Sequence, residues 1–375
     1  MTLSVTWPQA LAWRLERQLV DPIGNLPALE IVRRLGGVQA QVASCAELAI
    51  QLRQRTPARN EVAGALSDGS LIKTWGMRGT LHLFAADEAG SYLALLAAGR
   101  SWETPAWQRF FGLSPAKIEG LREVVRDVLD GRVLTREEVN AQIVKTRGYE
   151  HLAAELKSGW GTLFKPLAWQ GDICFGPGRG TRVTFARPEQ ISSSWQPLPS
   201  ADEAARPVFL RYFESYGPAT PTHVRRWLAR GRVSVKQQRA WFATVADEVT
   251  KVDVDGEEMY VRSEDVDALA ASKGTDSVRL LGGFDEWVLG PGTDDPHVIS
   301  PNRRAAVSRA AGWIAPIVLV GGVVRGTWRQ DADRVAIDWF SESGKPPSAK
   351  LGSEVERLGA LFGRRLTAEL AVVRL

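Results

Sequence analysis

Cysteine is scarce: Cys45 and Cys174 are the only two in 375 residues. Two thiols cannot build a disulfide framework or a thiolate zinc site. Histidine is nearly as rare. His82, His151, His223 and His297 are scattered, with no HExxH or HxH spacing, so no dedicated metal site is expected. No apolar run reaches the roughly 18 residues of a membrane span. The first 18 residues carry Arg14, Glu16 and Arg17 inside an apolar pattern, unlike a secretory leader. These absences lead to the expectation of a reduced, cytoplasmic protein with no metal, no cofactor and no membrane contact. Extremes of composition are missing as well. Charged residues make up 24% and apolar residues 44%, ordinary values for a globular chain and not for a disordered one. A net charge of +4 permits nucleic-acid binding without demanding it.

What is present is repetition. The clearest unit runs from Ser114 to Pro188. SPAKIEGLREVVRDVLD predicts a helix with Leu121, Val124, Val125 and Val128 on one face, Ser114 as N-cap and Gly131 as the stop. LTREEVNAQIV predicts a second helix opened by a capping box of Thr135 and Glu138. GWGTLFKPLAWQG predicts a third, and DICFGPGRGTRVTFARP a hairpin around Pro177, Gly178 and Gly180. Three helices and then a hairpin is the order of a winged helix. A second copy follows: EAARPVFLRYFESYG, ATPTHVRRWLARG and SVKQQRAWFATV as helices, then VTKVDVDGEEMYVRS as a hairpin turning at Asp255-Gly256. A third lies near the N-terminus, where LPALEIVRRLGGVQAQ, SCAELAIQLR and RNEVAGALSDGSL precede two strands in IKTWGMRGTLHLFA. From Ser277 onward VRLLGGFDEWVLGPG, APIVLVGGVVRGTWR and RVAIDWF are strand-like, with EVERLGALFG a short terminal helix. The expected fold is α+β: three tandem winged-helix domains over 1–113, 114–188 and 202–270, then a β-rich domain over 277–375.

Charge is unevenly placed. Residues 217–245 hold Arg225, Arg226, Arg230, Arg232, Lys236 and Arg239 and no acid. They fall on the second and third helices of the last winged helix, the pair that usually faces DNA. Residues 299–329 hold Arg303, Arg304, Arg309, Arg325 and Arg329, again with no acid. Acid-free basic stretches concentrate positive potential where phosphates would lie; the alternative, solvated Arg on exposed helices, weighs less for 217–245 than for 299–329. Thr80 and His82 stand two apart in a predicted strand, and Arg78 shares their face if the strand starts early. They are candidate phosphate contacts, with His82 otherwise a structural histidine tying the wing to the core. In GGFDEW, Asp285 and Glu286 are adjacent strand residues facing opposite ways, so joint acid-base work is not expected. Asp285 is expected to accept backbone N–H bonds. Trp75, Trp160 and Trp287 suit core packing better than base stacking, and Cys45 suits a small apolar filler.

The most distinctive polar string is GGVQAQVAS, with Gln39 and Gln41 two apart. In an extended segment both amides point to one side and can hold a water between them. By spacing alone they can also pack against backbone groups. The wider sequence narrows the choice. GVQAQVASCAELAIQLR, LIKTWGMRGTLHLF, LLGGFDEWVLGPGTDDPHVIS and VVRGTWR, in that order, resemble the winged-helix DNA-binding family that includes the crosslink-unhooking, AlkZ-type DNA glycosylases. The resemblance runs from about Gln9 to Trp328. It implies three winged helices on a concave, DNA-embracing scaffold and excision of N7-alkylated, bulky or crosslinked purines. It also maps the family's Gln-(apolar)-Gln or Gln-(apolar)-Asp motif onto Gln39, Ala40 and Gln41. Gln41 in place of Asp points to the neutral-amide subtype, Ala40 is smaller than the apolar residue of the best-studied relatives, and Gly282 stands where many have Pro. The expected partner is double-stranded DNA, bound by a nucleoid-associated monomer. The competing reading is a non-catalytic winged-helix regulator or resistance protein that binds DNA through the same wings and Arg patches.

Overall fold

The computed structural model describes residues 2–158, 161–230 and 232–374 as a mixed α+β chain in two compact units. The first comprises Met1–Arg59, Leu210–Trp227 and Val245–Leu375; the second comprises Asn60–Phe209 and Leu228–Thr244. Trp160 lies outside the described residues.

In the first unit a five-stranded sheet runs in the order Val278–Leu281, Ile317–Val320, Val323–Asp331, Arg334–Phe340 and Thr367–Val373. The first three pairings are antiparallel and the last is parallel. A parallel pair needs a crossover, and the helix Ser348–Leu361 supplies it. It buries Leu351, Val355 and Leu358, while Glu354 accepts the Leu280 N–H at 3.2 Å. A second sheet pairs Leu3–Val5 with Val249–Val254, which turns back into Glu257–Arg262. That turn is Asp255-Gly256, both at positive φ, the geometry an Asp-Gly hairpin provides. The helix Trp7–Arg17 follows Leu3–Val5, opened by a capping box of Thr6 and Gln9. The core gathers Trp13, Val252, Trp287, Val318, Ile337 and Trp339 with their neighbours.

In the second unit, strands run in the order Leu81–Ala85, Leu71–Trp75, Cys174–Phe175, Thr184–Ala186 and Leu134–Thr135, each antiparallel to the next. Phe175 and Phe185 pack on Trp75 at ring separations of 4.9 and 5.9 Å. Helices Pro115–Leu129 and Arg136–Lys145 begin at the expected caps: Ser114 accepts the Lys117 N–H, and Thr135 and Glu138 form a reciprocal box.

Three local expectations change. Only Val278–Leu281 of VRLLGGFDEWVLGPG is a strand, and Glu286–Leu289 is a helical turn. Gly282-Gly283 ends the strand, and the Asp285 side chain then caps the turn by accepting the Trp287 N–H. The strand after Gly79 begins at Leu81, so Arg78 lies in a short 3-10 turn with φ 58° and shares no strand face with His82. Finally, Thr367–Val373 is an additional strand that the sequence pattern does not announce.

Candidate active site

The helix Ala28–Arg34 ends at Gly36 and Gly37, both at positive φ (67° and 109°). The Gly36 N–H bonds the Arg33 carbonyl and the Gly37 N–H bonds the Val32 carbonyl. Only glycine enters this left-handed turn without strain. It redirects the chain into the extended pair Val38–Gln39, and helix Ala43–Gln51 begins four residues after Gln39. The two glutamines therefore sit in a short link between two helix ends. Gln39 is 5% exposed and Ala40 is 1% exposed, whereas Gln41 is exposed. The pair thus has one buried amide and one open to solvent.

Both flanks of the link are tied down. Before it, the Tyr216 hydroxyl donates to the Leu35 carbonyl at 2.7 Å, and the Ser215 hydroxyl donates to the Arg34 carbonyl. At the link, the Gln39 N–H donates to Glu286 Oε1 at 2.8 Å. Beyond it, Arg53 makes a bidentate pair with Asp285, both contacts at 2.8 Å and both side chains fully buried. Arg53 also donates to the carbonyls of Ala49 and Gln18. Burial opposes the Arg53 charge, but Asp285 overrides it, so the guanidinium is held above its ordinary pKa. A buried guanidinium with four of its five donors directed at oxygens is a rigid post. Close packing completes the anchor: a methyl group on Gly282 would stand 3.1 Å from the Leu48 side chain.

Asp285 and Glu286 therefore act on separate partners, as an N-cap and as a backbone acceptor. Asp285 accepts a backbone N–H as the sequence reading anticipates, but it also holds Arg53, a residue that reading passes over. Nothing local to Arg53 marks it, because its partner lies 232 positions away.

Of the candidate phosphate contacts, Arg226, Arg230, Arg232, Lys236, Arg239 and Arg304 are exposed, while Arg78, Thr80, Arg225 and Arg325 are half-buried. Arg226 pairs with Asp294 at 3.3 Å. Two candidates are withdrawn from solvent. His82 is fully buried, its Nδ1 3.1 Å from the Thr80 carbonyl. Burial first, and the nearby Arg78 charge second, push it down to about 3, so it is neutral and does not serve a phosphate. Arg303 is 5% exposed, forks onto Glu342 and lies over the Phe340 ring at 4.4 Å. Its donors are spent on Glu342 and on the carbonyls of Val373 and Arg374, so it fixes the last strand in place. Trp75 and Trp287 are core residues, with the Trp287 indole donating to the Gly322 carbonyl. Cys45 is half-buried, and burial raises its thiol pKa, contrary to a nucleophile's need. Among the described residues there is no cluster of metal-ligand side chains, and no helix is long and apolar enough to cross a membrane.

Comparison with known proteins identifies the family. A family model described as DNA glycosylase AlkZ-like matches residues 32–361. The interstrand DNA cross-link repair glycosylase of Streptomyces sahachiroi is 42% identical over 362 residues, covering 96% of this chain and 98% of that protein. The solved structure of Streptomyces sahachiroi DNA glycosylase AlkZ superposes with a TM-score of 0.95 over 98% of this chain and 100% of that one, at 42% identity. A family match across most of the chain and a relative of nearly equal length leave no room for a different class: the chain belongs to the AlkZ-like DNA glycosylase family, enzymes that hydrolyse N-glycosyl bonds in DNA repair.

Proposed function

We propose that this protein is a monofunctional glycosylase that removes N7-alkylated purines from duplex DNA, bulky and crosslinked ones included. The observation that carries the reading is the anchored Gln39-Ala40-Gln41 link, one amide buried and the next open to solvent. The interstrand cross-link repair activity of the Streptomyces sahachiroi relative supports the same substrate class.

The chemistry suits a site with no carboxylate at position 41. An N7-alkylated purine is already cationic, so its glycosidic bond is weakened and the leaving base needs no general acid. The transition state resembles an oxocarbenium ion. A neutral amide is a poor proton acceptor, but its carbonyl dipole orients water towards C1′ and stabilises developing positive charge. Gln41 positions that water. Gln39 supports it from a fixed backbone. The same logic makes unmodified bases inert, because nothing in the site supplies the missing leaving-group activation.

Along the chain we place three winged helices. Support comes from the element order: three helices precede a hairpin in the stretches ending at Leu81–Ala85 and Glu257–Arg262, and four, the last two of five residues each, precede the strand pair ending at Thr184–Ala186. Arg78, Thr80, Arg225, Arg226, Arg230, Arg232, Lys236, Arg239, Arg304 and Arg325 are the proposed DNA-facing set, acting in a monomer.

The test is incubation with duplex containing 7-methylguanine, followed by alkaline cleavage at abasic sites. Wild type yields product and Gln41→Ala loses most of it, roughly a hundredfold in single-turnover rate, the scale of losing one preorganised dipole. Full activity in Gln41→Ala removes that residue from the mechanism. No product from this lesion or from an N7-linked crosslink rejects the substrate class.

A further inference from the structure

Lys165 opens the short helix Lys165–Trp169 in the second unit, and its side chain is half-buried. Its ammonium lies against Gly79: a methyl group on that glycine would stand 3.5 Å from Nζ. Gly79 follows Arg78, and both line a small, mostly apolar pocket with Leu96, Gly99, Ser101, Trp169, Ala229 and Arg232, the Lys165 ammonium standing beside its Gly79 wall. Three separate stretches of chain thus bring basic side chains to one spot. Burial, and after it the fields of Arg232 and Arg230, hold the Lys165 ammonium below the usual lysine range. Among the described residues no carboxylate is within ion-pair distance of Lys165, Arg230 or Arg232. Like charges gathered without a counter-charge repel one another, and a half-buried ammonium also loses hydration. An anion among them relieves both.

The pocket also says what kind of anion. Its free volume is about 10 Å³, the space of a single water-sized atom. A nucleobase does not fit. A non-bridging phosphate oxygen does, with the rest of the phosphate outside. Trp169 is 4% exposed and presents no open face for stacking. Lysine and arginine offer only donors, which matches an acceptor-only ligand. Gly79, at φ 73°, brings backbone and not a side chain to the pocket wall beside the ammonium.

We propose that Lys165 and Arg232, on either side of the pocket wall that Gly79 forms, make one seat for a single backbone phosphate of duplex DNA. The seat rests on the DNA-glycosylase reading for its ligand and not on the roles of Gln39 and Gln41. It holds the DNA in register and reads no base.

Fluorescence anisotropy with an undamaged duplex, titrated across a series of KCl concentrations, tests it. Each phosphate contact contributes a slope of about 0.9 to the fall of log K with log salt. Lys165→Gln and Arg232→Gln each weaken binding several-fold, and the double variant lowers the slope by about one in total, because both residues serve the same phosphate. Lys165→Arg keeps the charge and restores affinity, which separates the effect from misfolding. An unchanged slope in the double variant overturns the seat. A slope lowered by two overturns it as well, since the residues would then hold two phosphates. The readout needs no excision. A wild type that binds duplex but releases no base rejects the catalytic reading and leaves the seat standing, and a catalytically active double variant with wild-type salt dependence does the reverse.

Discussion

Glu286 and Gln39 are 247 positions apart, yet one hydrogen bond of 2.8 Å joins a carboxylate to a backbone N–H. Glu286 is fully buried, so it is screened from substrate and touches the link through the link's backbone. In the proposed mechanism its effect on catalysis is positional. A displacement of about 1 Å in a reacting geometry costs on the order of a hundredfold in rate. Glu286→Ala is therefore expected to lower single-turnover excision tenfold to a hundredfold (~10–100) while duplex affinity stays within about twofold. Glu286→Gln keeps an acceptor oxygen and recovers most of the rate. Equal losses in the two variants would mean that the negative charge, and not the hydrogen bond, is what the site uses; a rate unchanged in both would remove Glu286 from it.

At the scale of elements, the short helix Glu286–Leu289 carries both anchors, since its cap Asp285 holds Arg53. Breaking a fully buried pair by removing one partner leaves an uncompensated charge, at a cost of about 3–5 kcal/mol. Asp285→Asn and Arg53→Met should each lower stability by about that much, measured as a fall in denaturant midpoint at constant slope; losses under about 1 kcal/mol would contradict a rigid post. This element was the least legible part of the sequence. Four helical residues give no periodicity, and GGFDEWVL scans as easily for a strand. Caps and turns were legible because their chemistry is local: Ser114, the Thr135–Glu138 box and Asp255-Gly256 all stand where their side chains and φ preferences put them. The Gln pair was visible as an oddity of composition, but only three-dimensional contacts separate its buried member from its exposed one. Thr367–Val373 alternates Ala368, Leu370 and Val372 on one face, but that face is exposed, so no buried pattern ties the segment to the sheet. Lys165 was missed because one lysine in an apolar helix carries no signal until Gly79 and Arg232 are beside it.

For the molecule as a whole, the net charge of +4 is a residue of opposing local balances, with exposed arginines on 217–245 and acids in the following hairpin and turn. Acid stability is also a global property, and His82 contributes to it. Its folded pKa lies near 3 against an ordinary 6.5. Its contribution is therefore whole above about pH 6.5 and is lost as pH falls towards 3, because only the unfolded chain takes up the proton. The slope is up to about 1.4 kcal/mol per pH unit. The stability gap between wild type and His82→Gln, from urea midpoints at pH 7 and pH 4, should narrow with acid; a constant gap would contradict it. The long reach from Gln39 to Glu286 has a consequence in time as well as in space. Synthesis at roughly 5–20 residues per second separates these two residues by about 10–50 s. Throughout that interval the nascent chain already carries its glutamines but lacks the carboxylate that sets them. In the proposed mechanism, competence for base release therefore arrives late in synthesis, and a chain broken off before residue 286 has the motif without its anchor.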